Sequence, residues 1–180
     1  MEPLAAESVE TAVFAGGCFW CMEPVFDRMA GVISVTPGYT GGKTRDPSYQ
    51  EVSTGESGHA EAVRILFDPE RVGYRELLPV FWRNIDPTTR NRQFCDFGSQ
   101  YRSAIFYTTP EQKQAAEDSR RELEASRPLG RPIVTEILAA GEFYPAEEYH
   151  HQYYRKNPQR YQMYHDGCGR KSRLKELWDK

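Results

Sequence analysis

Residues 11–29, TAVFAGGCFWCMEPVFDRM, constrain the fold more than any other stretch of the chain. An apolar run reaches two glycines, Gly16 and Gly17, and beyond them Phe19, Met22, Phe26 and Met29 recur at helical spacing. A strand that turns on glycines straight into a helix predicts helices laid against a sheet. Pro24 fits this helix if it falls in the first turns, where a missing N–H costs little. Two cysteines, Cys18 and Cys21, stand where the helix opens and bracket Phe19 and Trp20.

The rest of the chain continues the pattern. GVISVTPGY and AEAVRILFD read as strands, the second setting Val63, Ile65 and Phe67 against Arg64 and Leu66. YRELLPVFWRNI reads as a helix interrupted at Pro79, and DPTTRNRQFCDFGSQ as an irregular segment. YRSAIFYTT is a strand, and TPEQKQAAEDSRRELEAS a helix with Thr109 as N-cap and Pro110 at its first position. IVTEILAA reads as a strand and PAEEYHHQYYRKN as a helix stopped before Pro158. The order β-α-β-β-α-β, then α-β-α, predicts an α+β fold: a two-layer ferredoxin-like sandwich with a mixed, antiparallel-rich sheet. The expected organisation is a single catalytic domain over 1–180, with an N-terminal extension at 1–10 and an extended, mobile C-terminal tail at 158–180 around GCGRK.

Composition narrows the function classes. A chain of 180 residues with 39% hydrophobic and 27% charged residues can bury a core without staples. Its net charge of −3 leaves no broad basic face for nucleic acid. No apolar run approaches a membrane span, and MEPLAAESVE lacks the basic-then-apolar start of a secretory signal. A cytoplasmic monomer is the expectation. Four cysteines are too few for a disulfide scaffold, so they read as reduced thiols with catalysis or metal binding as special cases.

Cys18 follows two glycines at a helix start, where free N–H groups and the helix dipole favour a thiolate; burial as an inert core thiol is the plainer alternative. With Cys21 it forms a Cys-x-x-Cys, a spacing used by disulfide exchangers and by zinc sites. A zinc site needs a second close pair, and Cys95 and Cys168 stand alone and far apart. His150 and His151 are adjacent, point to different faces of a helix and read as surface or capping histidines. Glu61, among small and apolar neighbours, is either solvent-facing or a buried acid with a raised pKa. Taken singly, Tyr49, Asp96 and Tyr101 read as ordinary loop and strand residues.

Seven segments in order, GGCFW, GYTGG, PSYQEV, GHAEAV, VFWRNIDPTTRNRQ, SQYRSAIF and KNPQRY, resemble the A-type peptide methionine sulfoxide reductase family, from about Val13 to Tyr161. The resemblance implies that Cys18 is the nucleophile attacking the sulfoxide sulfur. Phe19 and Trp20 form the aromatic wall that receives the S-methyl group, and Glu61 protonates the departing oxygen. Tyr49 and Tyr101 hold that oxygen through their hydroxyls, and Asp96 helps organise the site. It implies a sulfenic acid on Cys18, resolution to a disulfide, and thioredoxin as external reductant, with no bound cofactor. Its substrate is the S epimer of methionine sulfoxide, free or in oxidised proteins.

The chain departs from the family pattern in its thiols. Many members carry glycine at Cys21 and asparagine at Cys95, and the common resolving cysteine falls where this chain has Gln162. Cys168, between Gly167 and Gly169, is the leading candidate to resolve the Cys18 sulfenic acid. Cys21 and Cys95 are the alternatives, and a relay through two disulfides is compatible with all four. Two rival functions stand beside this: a thiol-disulfide oxidoreductase using Cys18 and Cys21, and a zinc-stapled binding module.

Overall fold

A computed structural model describes residues 8–126 and 129–179; most of the expected N-terminal extension, residues 1–7, lies outside the described residues. The elements in chain order are β1 (Glu10–Gly16), α1 (Phe19–Asp27), β2 (Val32–Thr40), α2 (Tyr49–Ser53), β3 (Ala60–Phe67) and α3 (Tyr74–Arg83). There follow β4 (Arg92–Gln93), β5 (Asp96–Phe97), β6 (Ser103–Tyr107), α4 (Pro110–Ser126), β7 (Glu136–Ala139) and β8 (Phe143–Pro145). The chain closes with α5 (Tyr153–Lys156), α6 (Pro158–Gly167) and α7 (Arg170–Trp178). Six strands form one mixed sheet in the order β7-β6-β1-β3-β2-β8, and only the β6–β7 pair is parallel. The architecture is α+β. No helix among the described residues is long and apolar enough to cross a membrane.

Strand periodicity decides which face carries the core. On β1, Ala12 and Phe14 join the main cluster beneath the helices, while Val13 and Ala15 join a smaller cluster on the other face. On β3, Val63, Ile65 and Phe67 share the helix-covered face, and Ala60 and Ala62 the opposite one. Phe14 is the keystone, with its ring 4.9 Å from Phe81 and 5.6 Å from Phe26. Each such phenyl ring contributes about 1.5–3 kcal/mol by leaving water.

Two expected elements come out differently. PAEEYHHQYYRKN is not one helix: a 3-10 turn at Glu148–His150 is followed by Gln152 at φ 51°, then the short α5. The Gln152 N–H bonds the Glu23 carboxylate at 2.8 Å instead of an intrahelical carbonyl, which breaks the helix there. The extended tail at 158–180 is also corrected, since it folds as α6 and α7. Leu177 and Trp178 are buried in the main core. Arg170, 3% exposed, donates to the Asn84 carbonyl at 2.8 Å and the Gly16 carbonyl at 3.2 Å.

Candidate active site

The sheet topology gathers the sequence motifs at one end. β1 and β2 finish there, and the antiparallel β3 and β6 begin there. Cys18 follows β1, Glu61 opens β3, Tyr101 precedes β6 and Tyr49 follows β2. Glu61 continues the row of Val63 and Ile65, so a carboxyl occupies a core position beneath α1. Tyr49 is fixed by a capping box at the start of α2: the Glu51 N–H donates to Ser48 Oγ at 3.2 Å, and the Ser48 N–H to Glu51 Oε2 at 2.7 Å. The turn into Cys18 depends on Gly17, at φ 84°, where an added Cβ would stand 2.5 Å from Gln93 Cβ.

Cys18 and Cys21 are free, buried thiols. Burial pushes the Cys18 thiol well above the usual range, reinforced by its hydrogen bond to Cys21 and by Glu61 and Asp96 nearby. Cys21 accepts that bond, which lowers its own proton affinity. The thiolate-favouring helix start expected for Cys18 is therefore not its resting condition. Cys18 is the N-cap of α1, but a carboxyl rather than the sulfur takes the Phe19 N–H, and that carboxyl is Glu61.

Glu61 is 3% exposed, and its Oε2 has no hydrogen-bond partner. Burial raises its pKa well above the usual carboxylate value, with Asp96 and Cys21 adding to the effect, so the carboxyl holds its proton more tightly than a free one. Tyr49 is pushed up to about 12 by burial and then by Glu61. Tyr101 is raised by the same causes. Asp96, also raised by burial, accepts the Tyr164 hydroxyl. The arrangement is a carboxyl of raised pKa with an unmet oxygen, near a buried thiol and two phenols.

The aromatic wall is larger than the sequence indicated. Phe19 is 1% exposed, with its ring 5.8 Å from Tyr39 and 5.0 Å from His150. Trp20 stacks on Tyr153 at 3.9 Å and meets the edge of Tyr164 at 5.9 Å. Its indole N–H donates to His150 Nδ1 at 2.9 Å. The expectation of a surface or capping His150 is overturned: it is fully buried, its ring 4.5 Å from Tyr49. Burial pulls its pKa down to about 4. His151 does lie nearer the surface, bonded to the Ala146 carbonyl at 2.8 Å. The missed signal was aromatic density around position 150, which outweighs the helical-face argument once the helix is broken.

The remaining cysteines lie together. Cys95 and Cys168 form a disulfide across 73 residues, with Cα atoms 4.9 Å apart. The sequence placed both as isolated thiols, because only the fold brings the β4–β5 turn to the end of α6. Among the described residues, one group has metal-ligand chemistry, Cys95, Asp96 and Cys168 within 4.8 Å, and the disulfide occupies both of its sulfurs. Cys21 faces a cleft lined by Tyr161, His165 and Arg170 from α6 and α7.

One pair of thiols buried beside a carboxyl of raised pKa, and another pair oxidised, define a thiol-based oxidoreductase. The family model for peptide methionine sulfoxide reductase matches residues 10–180. A peptide methionine sulfoxide reductase MsrA of Bacillus licheniformis is 50% identical over 173 residues, spanning 96% of each chain. Methionine sulfoxide reductase A of Corynebacterium diphtheriae superposes with a TM-score of 0.75 at 39% identity, over 83% of this chain and 76% of that one. Mxr1 of Saccharomyces cerevisiae in reduced form gives a TM-score of 0.80 at 31% identity, over 87% and 90% of the two chains. The chain belongs to the peptide methionine sulfoxide reductase family.

Proposed function

We propose that the protein reduces methionine-S-sulfoxide, free or in oxidised proteins, to methionine through Cys18. The observation that carries this reading is the buried Glu61 carboxyl near the Cys18 thiol, whose Oε2 has no hydrogen-bond partner and whose pKa burial raises. A sulfoxide oxygen is the acceptor that such a group lacks. The S-methyl group packs against Phe19 and Trp20, at about 0.8 kcal/mol per buried carbon, which turns the sulfur towards Cys18. Tyr49 and Tyr101 donate to the oxygen as charge develops on it.

The step balances without an outside proton. Cys18 sulfur attacks the sulfoxide sulfur while Glu61 protonates the oxygen, and the thiol's own proton returns to the carboxylate. The OH then moves to Cys18 as the new bond between the two sulfurs breaks, which leaves a sulfenic acid on Cys18 and frees methionine. Asp96, through its bond to Tyr164, keeps the far side of the pocket in place.

Recycling begins with Cys21 in this reading, because Cys21 is already hydrogen-bonded to Cys18. Its attack forms the Cys18–Cys21 disulfide and releases water. Cys168, the leading resolving candidate from sequence, then takes a later place: it attacks Cys21, and Cys95 closes on Cys168, restoring both inner thiols. The Cys95–Cys168 disulfide is the end of that relay. Thioredoxin is the external reductant, a reading supported by the solution of the relative Mxr1 in complex with Trx2. The antiparallel run β6-β1-β3-β2 supports a ferredoxin-like core, extended by β7 and β8.

The test is direct. Protein reduced with dithiothreitol is mixed with racemic methionine sulfoxide, and the epimers are resolved by chromatography. Loss of the S epimer with stoichiometric methionine is expected; disulfide reductase activity with no methionine formed would refute the reading.

A further inference from the structure

We infer that electrons enter through Cys95, and that the face around it is a docking surface for a dithiol protein with an acidic rim. The inference rests on the recycling reading above and adds the sulfur attacked and the surface that receives the donor. The two cysteines of the disulfide are not equivalent. Cys95 is exposed on the β4–β5 turn, whereas Cys168 is half-buried at the junction of α6 and α7. The Cys95 N–H donates to Cys168 Sγ at 3.2 Å. A donor on one sulfur favours negative charge there, so Cys168 is the better leaving group and Cys95 the better target.

The surroundings suit a protein rather than a small thiol. Met163 at 76% and Phe97 at 65% are the two most exposed large apolar side chains among the described residues. Phe97 lies on β5, just past Cys95, and Met163 on α6, the helix that ends at Cys168. Beside Cys168 opens a groove edged by Arg92, Arg131 and Arg173. Arg173 is committed to Asp86 at 2.9 Å, and the guanidinium of Arg92 lies over the Phe97 ring at 4.4 Å. In a chain of net charge −3, a disulfide with exposed Phe97 two residues beyond Cys95 and an arginine-edged groove beside Cys168 selects a partner with apolar contacts and a negative rim.

The chemistry is a two-step exchange. A donor thiolate attacks Cys95 Sγ, the S–S bond breaks, and its electron pair leaves on Cys168, which takes a proton from water. The donor's second thiolate then attacks its own sulfur in the mixed disulfide and releases Cys95. The donor becomes a disulfide, and Cys95 and Cys168 become thiols.

The oxidised protein is incubated with a thioredoxin whose second active-site cysteine is serine, and the trapped mixed disulfide is mapped by mass spectrometry. A bond to Cys95 with Cys168 open to alkylation is expected; a bond to Cys168 overturns the assignment. In parallel, R92E and R131E are reduced by wild-type thioredoxin and by dithiothreitol across a salt series. A fall of about three- to tenfold with thioredoxin at low salt, flattened by added salt, is expected, with the dithiothreitol rate unchanged. Thioredoxin rates and salt dependence equal to wild type overturn the docking surface. Methionine formation with dithiothreitol reports on the underlying reading separately.

Discussion

Replacing Glu61 by glutamine separates its chemical part from its structural one. Glutamine keeps the shape and can still accept the Phe19 N–H, but it has no acidic proton for the departing oxygen. General acids contribute about 10²- to 10⁴-fold, or roughly 2.7–5.4 kcal/mol of barrier. Tyr49 and Tyr101 remain as donors near the same oxygen, which moves the expected loss to about ten- to a thousandfold, or 1.4–4.1 kcal/mol. Stability moves the other way. The folded-state pKa of Glu61 is raised, so its contribution is fully present below the unfolded value of about 4.3 and is lost as pH rises through the folded value. E61Q cannot ionise, so its melting temperature gains on wild type as the buffer becomes more alkaline. Each tenfold difference in proton affinity is worth about 1.4 kcal/mol. The assay is single-turnover methionine release from reduced enzyme over pH 5–9, with thermal melts in the same buffers. A normal rate across neutral pH, or a melting difference independent of pH, would sink the reasoning.

Four further outcomes are expected. C18S releases no methionine, whereas C21S still gives one turnover measured by chromatography. The R epimer is a very poor substrate, because inverting sulfur takes either its methyl group from the Phe19–Trp20 wall or its oxygen from Glu61; comparable loss of both epimers in the racemate assay contradicts this. H150L removes the acceptor of the Trp20 indole, at about 1 kcal/mol, and raises KM roughly fivefold with less change in kcat. It also removes an acid sensitivity: the depressed His150 pKa makes wild-type stability fall as pH drops from about 6.5 towards 4, and melts of H150L over that range stay flatter. R170L strips donors from one buried and one part-buried carbonyl and lowers stability by about 2–4 kcal/mol, read from urea denaturation.

The strand, glycine turn and helix around Cys18 were legible because local periodicity and backbone freedom specify them without distant contacts. Glu61 was legible only as an ambiguity: its row with Val63 and Ile65 says core, while a carboxylate in general says surface, and the burial around α1 decides. The last third of the chain was less readable. Gln152 leaves helical geometry because of a bond to Glu23, 129 residues away, and no local pattern announces that. Glycines 167 and 169 suggested a loose tail, yet anchoring by Arg170, Leu177 and Trp178 overrides their freedom. The pairing of Cys95 with Cys168 was hidden for the same reason, since it follows from tertiary closure rather than spacing.

Arg170 has a consequence for the order in which the turn before Cys18 is built. Its guanidinium holds the carbonyl of Gly16, the residue before the turn into Cys18, and packs over Phe94 at 4.3 Å. The motif is thus completed by a side chain that lies 154 residues further along the chain. A ribosome-bound chain stopped short of residue 170 leaves that carbonyl without its guanidinium donor. The turn into Cys18 gains its last hydrogen bond only after Arg170 has been added, so a nascent chain carries the sequence of that turn long before it carries its full set of bonds.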